Sequence, residues 1–362
     1  MGMELVDGKR VFSGDIVIDG SEIFTVNNNE DLFADDFKKS IFADAIFKSD
    51  CTLTVRNLPE NCEYLFCDSK FEKGFRFKDF DTSNVANMER MFENCIFHKG
   101  FSLGDKFDTS SVTDMENMFS GCALPEGFTL GDKFDTSNVT NMESMFDHCQ
   151  MPEGFTLGDK FDTSNVANME RMFEDCVFHK GFSLGDKFDT SSVTDMENMF
   201  SGCALPEGFT LGDKFVTSNV ANMSGMFSRC WTLPEGFTLG DKFVTSNVAN
   251  MSGMFTLCIL PEDFTLGDKF DTSNVTDMGG MFYEAMIHEG FTLGDKFDTS
   301  NVANMSGMFS LCILPEDFTL GDKFDTSNVA NMERMFEEAK LPEGFTLGDK
   351  FDTSKNPSSM LV

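Results

Sequence analysis

Residues 131–157 read GDKFDTSNVTNMESMFDHCQMPEGFTL, and this stretch decides the fold because it recurs along the chain. GDKF begins at Gly104, Gly131, Gly158, Gly185, Gly212, Gly240, Gly267, Gly294, Gly321 and Gly348. Every step is 27 residues except one of 28, where an extra residue sits near Trp231. An earlier copy with a degenerate start runs from Phe80 as FDTSNVANMERMF. A fixed period in the range of about 20 to 50 residues marks a repeat architecture, in which each unit buries its apolar face against the next. Copying also proceeded in blocks: residues 80–133 nearly duplicate 161–214, and residues 248–275 nearly duplicate 302–329.

Within the unit, Val139, Met142, Met145, Phe146 and Cys149 recur at helical spacing, filling an arc of about 120° at 100° per residue. Asp135, Thr136, Ser137 and Asn138 stand just ahead as N-cap candidates. A short helix or 3-10 segment is therefore expected there. Pro152-Glu153-Gly154 signals a turn. Phe155-Thr156-Leu157 then alternates in, out, in, as a short strand does. The predicted architecture is an α/β repeat solenoid with one short strand and one short helix or 3-10 segment per 27-residue unit. Each unit directs several apolar side chains inward, each contributing roughly 1.5–3 kcal/mol when buried, but only stacked coils can bury them. Residues 1–70, with VFSGDIVIDG and LFADDFKKSIFADAIF, read as an N-terminal cap, residues 71–354 as the tandem repeats and residues 355–362 as a C-terminal tail.

The string Val-x-x-Met-x-x-Met-Phe-x-x-Cys, followed by Pro and an apolar strand, resembles the BspA-like leucine-rich repeats of bacterial surface proteins. It looks closest to the mycoplasma-lipoprotein-type subfamily rich in FDTSNVTNMSxMF units. The resemblance spans about residues 75–354. It implies a right-handed leucine-rich-repeat-like coil, a cell-surface or secreted location, and use in adhesion or contact with a host protein. A basic n-region followed by an apolar stretch is missing from the first twenty residues, as is a C-terminal anchor motif. A cytoplasmic location therefore stays open.

Composition narrows the partners. The 362 residues carry 28 Lys+Arg against 61 Asp+Glu, a formal net charge of −33. Nucleic acid and anionic membrane surfaces require a basic stripe that this chain lacks. No apolar run of about 18 residues is present for membrane insertion. An unidentified protein or a host surface ligand is the expected partner. Calcium is the ion that stacked carboxylates would attract. Those carboxylates are Asp132, Asp159, Asp186, Asp213, Asp241, Asp268, Asp295 and Asp322, with Asp135, Asp162 and Asp189 in a second column. A Lys follows each residue of the first column, however, and the second becomes Val216 and Val244. Solvated or capping carboxylates are the expected role, with no cofactor.

Eight cysteines share one repeat position (Cys95, Cys122, Cys149, Cys176, Cys203, Cys230, Cys258 and Cys312), and Ala285 and Ala339 replace them in two units. Alanine substitutes for a small buried hydrophobe but for neither a bridge partner nor a ligand, so a ladder of buried thiols is expected. A disulfide is open only to Cys51, Cys62 and Cys67 in the cap. The column Ser102, Thr129, Thr156 and its equivalents reads as strand surface. With four histidines and no nucleophile, base and orienter in sight, no catalytic residue is assigned and the chain is not expected to be an enzyme. The positions that vary between repeats, read as outward helix positions, supply the candidate partner contacts: Arg90, Asn117, Ser144, Arg171, Asn198, Arg229, Trp231, Tyr283 and Arg334. The expected function is a non-enzymatic surface for protein–protein interaction or adhesion. The alternative is a structural or antigenically variable spacer with no single ligand.

Overall fold

A computed structural model describes residues 2–24, 40–352 and Ser354. The expected tail, 355–362, and residues 1 and 25–39 of the expected cap lie outside the described residues. The chain divides into two compact units, Met1–Asn165 and Val166–Val362.

Among the described residues the first unit opens with seven strands in two sheets. Strands β1 (Met3–Val6), β2 (Lys9–Phe12), β4 (Ala45–Phe47) and β6 (Lys70–Phe71) form one; β3 (Asp15–Asp19), β5 (Thr52–Arg56) and β7 (Arg76–Phe80) form the other. All neighbours are parallel except β1 and β2. The first sheet continues past β6 as single parallel bridges, Lys70 to Ile96, Ile96 to Ala123 and Ala123 to Gln150. A second bridge column runs Asn61, Asn87, Asp114 and Asn141. Repeat-type pairing thus reaches back to Asn61. In the second unit the Asn/Asp column runs from Asn168 to Asn331, and the column after the cysteine runs from Val177 to Ala204 and again from Ile259 to Lys340, with no bridge at Trp231.

The buried stripe is where the spacing placed it: Val139, Met142, Met145, Phe146 and Cys149 are all fully buried. Their backbone is not helical. Among the described residues the one helix is a 3-10 turn, Gly20–Glu22, so the expected helix in each repeat, and with it the α/β class, is corrected to a run of turns. Met145 donates its amide to the Met142 carbonyl, Asp147 to Ser144 and Cys149 to Phe146, at 3.0–3.2 Å. Ser144 (φ 52°) and His148 (φ 54°) are left-handed, the third residues of turns that require φ > 0 there, and such residues end a right-handed helix. Intervening amides leave the coil altogether. Met115, Asn117, Phe119 and Gly121 donate to the carbonyls of Asn141, Glu143, Met145 and Asp147 at 2.7–3.0 Å. Neighbouring coils thus supply the backbone partners that a helix would have supplied internally. Three-residue turns also bring every third side chain inward, which is why the stripe was readable although its helix was not.

The expected strand is reduced as well. Phe155 and Leu157 are buried and Thr156 exposed, as alternation requires, but residues 155–157 form no ladder strand. After the cysteine the column is one bridge wide, and in five repeats Pro125, Pro152, Pro206, Pro261 and Pro315, two positions beyond the bridging residue, have no amide with which to extend it.

Buried phenylalanines line each stack. Phe92, Phe119 and Phe146 stack with centroids 5.6 and 5.8 Å apart in the first unit. In the second, Phe227, Phe255, Phe282 and Phe309 follow at 5.9, 5.7 and 5.5 Å. The threonine of DTSN, expected among cap residues, is fully buried instead. Thr272 donates Oγ1 to the Asp298 carbonyl and accepts the Asp298 amide, each at 2.8 Å. The preceding Asp does cap locally, but it caps a turn: Asp135 Oδ1 accepts the Ser137 amide at 3.0 Å.

Candidate functional site

Two outward surfaces of each coil carry the chemistry that varies between repeats. The first is the turn face, which starts at the Asn/Asp column. Asn141 Oδ1 accepts the Glu143 amide at 3.1 Å, and Asn141 Nδ2 reaches back to Asp114 Oδ1 at 3.3 Å. These short polar side chains hold the backbone in Asx turns. They set up the left-handed corner two or three residues on.

Seven of the nine expected contact residues occupy such corners. Arg90, Asn117, Ser144, Arg171, Asn198 and Arg334 share one, and Arg229 sits at the next, all with φ between 52° and 57°. Gly225, Gly253, Gly280 and Gly307 hold the first corner in the intervening repeats. Variation there is thus bounded by backbone geometry, a left-handed site being easiest for Gly and then Asn. The side chains differ in what they offer. Ser144 is buried and presents nothing to a partner. Asn117 and Asn198 bond their own neighbours, Glu116 and Glu197. Arg90 lies between Glu89 and Glu93 and over the Tyr64 ring at 5.5 Å. Arg171 and Arg334 are exposed, within 3.8 Å of Glu174 and Glu337. Arg229 spans two coils, its Nη2 2.9 Å from Glu174 and 3.5 Å from Asp175. Tyr283 is half-buried, its ring 3.8 Å from where a Cβ on Gly307 would stand. Burial, with Glu63 and Glu116 nearby, raises the Glu89 carboxyl to about 6.

The second surface is the column after the cysteine, of which sequence reasoning picked out only Trp231. Cysteine points in, the next residue out and the following Leu, Met, Phe or Ile in again, except that exposed Thr232 intervenes after Trp231 and Leu233 takes the inward place. The outward residues are Ile96, Ala123 and Gln150 in the first unit. In the second they are Val177, Ala204, Trp231, Ile259, Met286, Ile313 and Lys340. Ile96 is 61% exposed and Trp231 64%, with Val177, Ile259, Met286 and Ile313 also exposed. The signal was present in the string Cys-Ile-Leu-Pro, whose middle two residues cannot both face the core.

The remaining candidates resolve structurally. All eleven cysteines are buried and none is joined in a disulfide, those of the cap included. In the repeats the thiol donates to a phenylalanine carbonyl of the preceding coil, Cys122 to Phe92 at 3.0 Å and Cys258 to Phe227 at 2.8 Å. Burial pushes the Cys122, Cys230 and Cys312 thiols up to about 12. The first Asp column is exposed, as is the Thr129/Thr156 column. In the second, paired serine hydrogen bonds outweigh burial and hold Asp108 and Asp271 below the usual carboxylate range. Among the described residues no group of three or more His, Cys, Asp or Glu is placed to hold a metal ion. No described helix is long and apolar enough to cross a membrane.

A family model described as "Mycoplasma protein of unknown function, DUF285" matches residues 60–177, 127–233, 155–261 and 261–360, in overlapping tandem placements that tile the repeats. No curated protein and no solved structure matches the chain.

Proposed function

The chain belongs to this mycoplasma family of unknown function, and from that membership we propose that it is a non-enzymatic repeat protein presenting an extended surface for protein–protein interaction or adhesion. The scaffold is read as a right-handed, leucine-rich-repeat-like solenoid related to the BspA-like surface proteins, acting at the cell surface or after secretion. One observation carries the reading. A nearly constant interior of Val, Met, Met, Phe and Cys holds up an exterior that changes from coil to coil and exposes large apolar side chains in the column after the cysteine. Apolar side chains left in water on a regular scaffold are a common mark of a contact surface.

The test is capture by the immobilised full chain from host serum and epithelial membrane extracts, quantified against a variant with Ile96, Trp231 and Ile313 replaced by Ser. The interaction reading expects at least one abundant captured protein to drop tenfold or more with the variant. The spacer reading is favoured by the block copying, which changes length by whole repeats. It expects identical capture from both.

A further inference from the structure

Charge thins on the turn face over four consecutive repeats of the second unit. Residues 333–340 read Glu-Arg-Met-Phe-Glu-Glu-Ala-Lys, and residues 170–175 likewise carry Glu170, Arg171, Glu174 and Asp175. Across the four equivalent segments from Asn222 to Ile313, the charged residues are Arg229, Asp277 and Glu284. Two of these are engaged: Arg229 by Glu174, and Asp277 by the Gly279 amide and Asn304. The same four repeats carry Trp231, Ile259, Met286 and Ile313 in the column after the cysteine, all exposed. Backbone bonds zip that column: Ile259 donates to Trp231, Leu260 to Met286 and Ile287 to Ile313, at 3.1–3.2 Å. Leu257 and Leu311, half-buried, flank it on the turn side. Three or four residues further along the coils, the next corner carries exposed Glu262, Asp263, Glu289, Glu316 and Asp317.

We propose that the row Trp231, Ile259, Met286 and Ile313, with Leu257 and Leu311 beside it, is the docking site for a cationic amphipathic helix of another protein, lying across the coils. This rests on the interaction-surface reading above and names the partner's chemistry. Spacing supports a helix. Successive coils sit about 4.8 Å apart, as paired strands do. An α-helix presents one side chain per turn to a face, at i, i+3 or i+4, and i+7, each about 5 Å beyond the last, so one partner side chain meets each coil over the row. Charge selects the sign. Carboxylates border the apolar row, and lysines or arginines on the helix flanks would meet them. A second copy of a chain carrying −33 would set carboxylate against carboxylate, and an anionic lipid surface would be repelled in the same way.

The chain's single tryptophan lies in the row, so its fluorescence reads occupancy directly. The probe is an 18-residue Leu/Lys peptide with Leu at helical a, d and e positions and no aromatic residue. Two controls accompany it: a scrambled peptide of identical composition, and a Leu/Glu peptide. The expected result is a saturable blue shift of Trp231 emission with the patterned Leu/Lys peptide, at least tenfold weaker binding of the scrambled peptide, and none of the Leu/Glu peptide. Replacing Ile259→Lys and Ile313→Lys together should weaken binding at least tenfold. If that variant loses its cooperative unfolding transition, the milder Ile259→Ser and Ile313→Ser pair is measured instead, with the same expectation. An unshifted emission, equal binding of the scrambled peptide, or unchanged binding by the folded variant overturns the proposal. Should the capture experiment succeed while this one fails, the surface binds by other residues; should both fail, the interaction reading falls with it.

Discussion

Thr272 has a buried hydroxyl that donates to and accepts from one residue of the next coil, Asp298. Thr272→Val keeps the shape and leaves both backbone groups of Asp298 without that partner. The expected cost is about 1–3 kcal/mol, read as a lower urea midpoint, whereas Thr272→Ser should recover most of it. The left-handed corners give the opposite kind of test. Gly253 sits at φ 63°, and a β-branched side chain forced there costs about 1–2 kcal/mol. Gly253→Val should therefore lower the midpoint. Arg171→Gly, at the equivalent corner of another repeat, relieves the same strain and should change it by less than about 1 kcal/mol.

The thiol ladder acts as an element in its own right. Cys203, Cys230 and Cys258 are buried and donate to Phe173, Phe200 and Phe227. Burial holds the Cys230 thiol up at about 12, against roughly 8.5 in an unfolded chain. Between those values the unfolded chain has lost protons that the native one keeps. Stability is then intact below about pH 8.5 and falls as pH rises toward 12. Unfolding midpoints measured from pH 7 to 11 should drop steeply in the alkaline half, and the triple Cys→Ala variant should flatten that limb. Alanine already stands in the ladder at Ala285. The interior was legible in the sequence because burial depends on which side chains point inward, and both a helix and a chain of turns put every third or fourth residue there. The backbone was not legible because nothing within one repeat says that the Met115 amide will bond to Asn141 of the next. The corners at Ser144 and His148 left little local trace, since neither is glycine. The apolar column was missed for a different reason: its residues change type, and only pairing across coils shows Trp231, Ile259 and Met286 as neighbours.

At the scale of the molecule, each unit is built by adding repeats in register, so length should change only in whole steps. Removing residues 268–294 joins Gly267 to Asp295 and restores GDKF across the junction. That deletion should keep the native circular-dichroism signal per residue and a cooperative transition. Removing residues 268–280 shifts the register by about half a repeat, sets inward positions against outward ones of the neighbouring coil, and should abolish both. The backbone bonds of the repeats run from one coil to the next, as from Met251 to Asp277 and Phe255 to Met281. That has a mechanical consequence. Pulled along the chain, either unit should yield one coil at a time, because breaking one ladder leaves the next intact. Each event would release a 27-residue length, roughly 90 Å of slack at full extension. A force trace would then show a regular sawtooth. Tethered by one end, such a chain would act as a shock absorber, lengthening under shear in even steps while its remaining coils stayed folded.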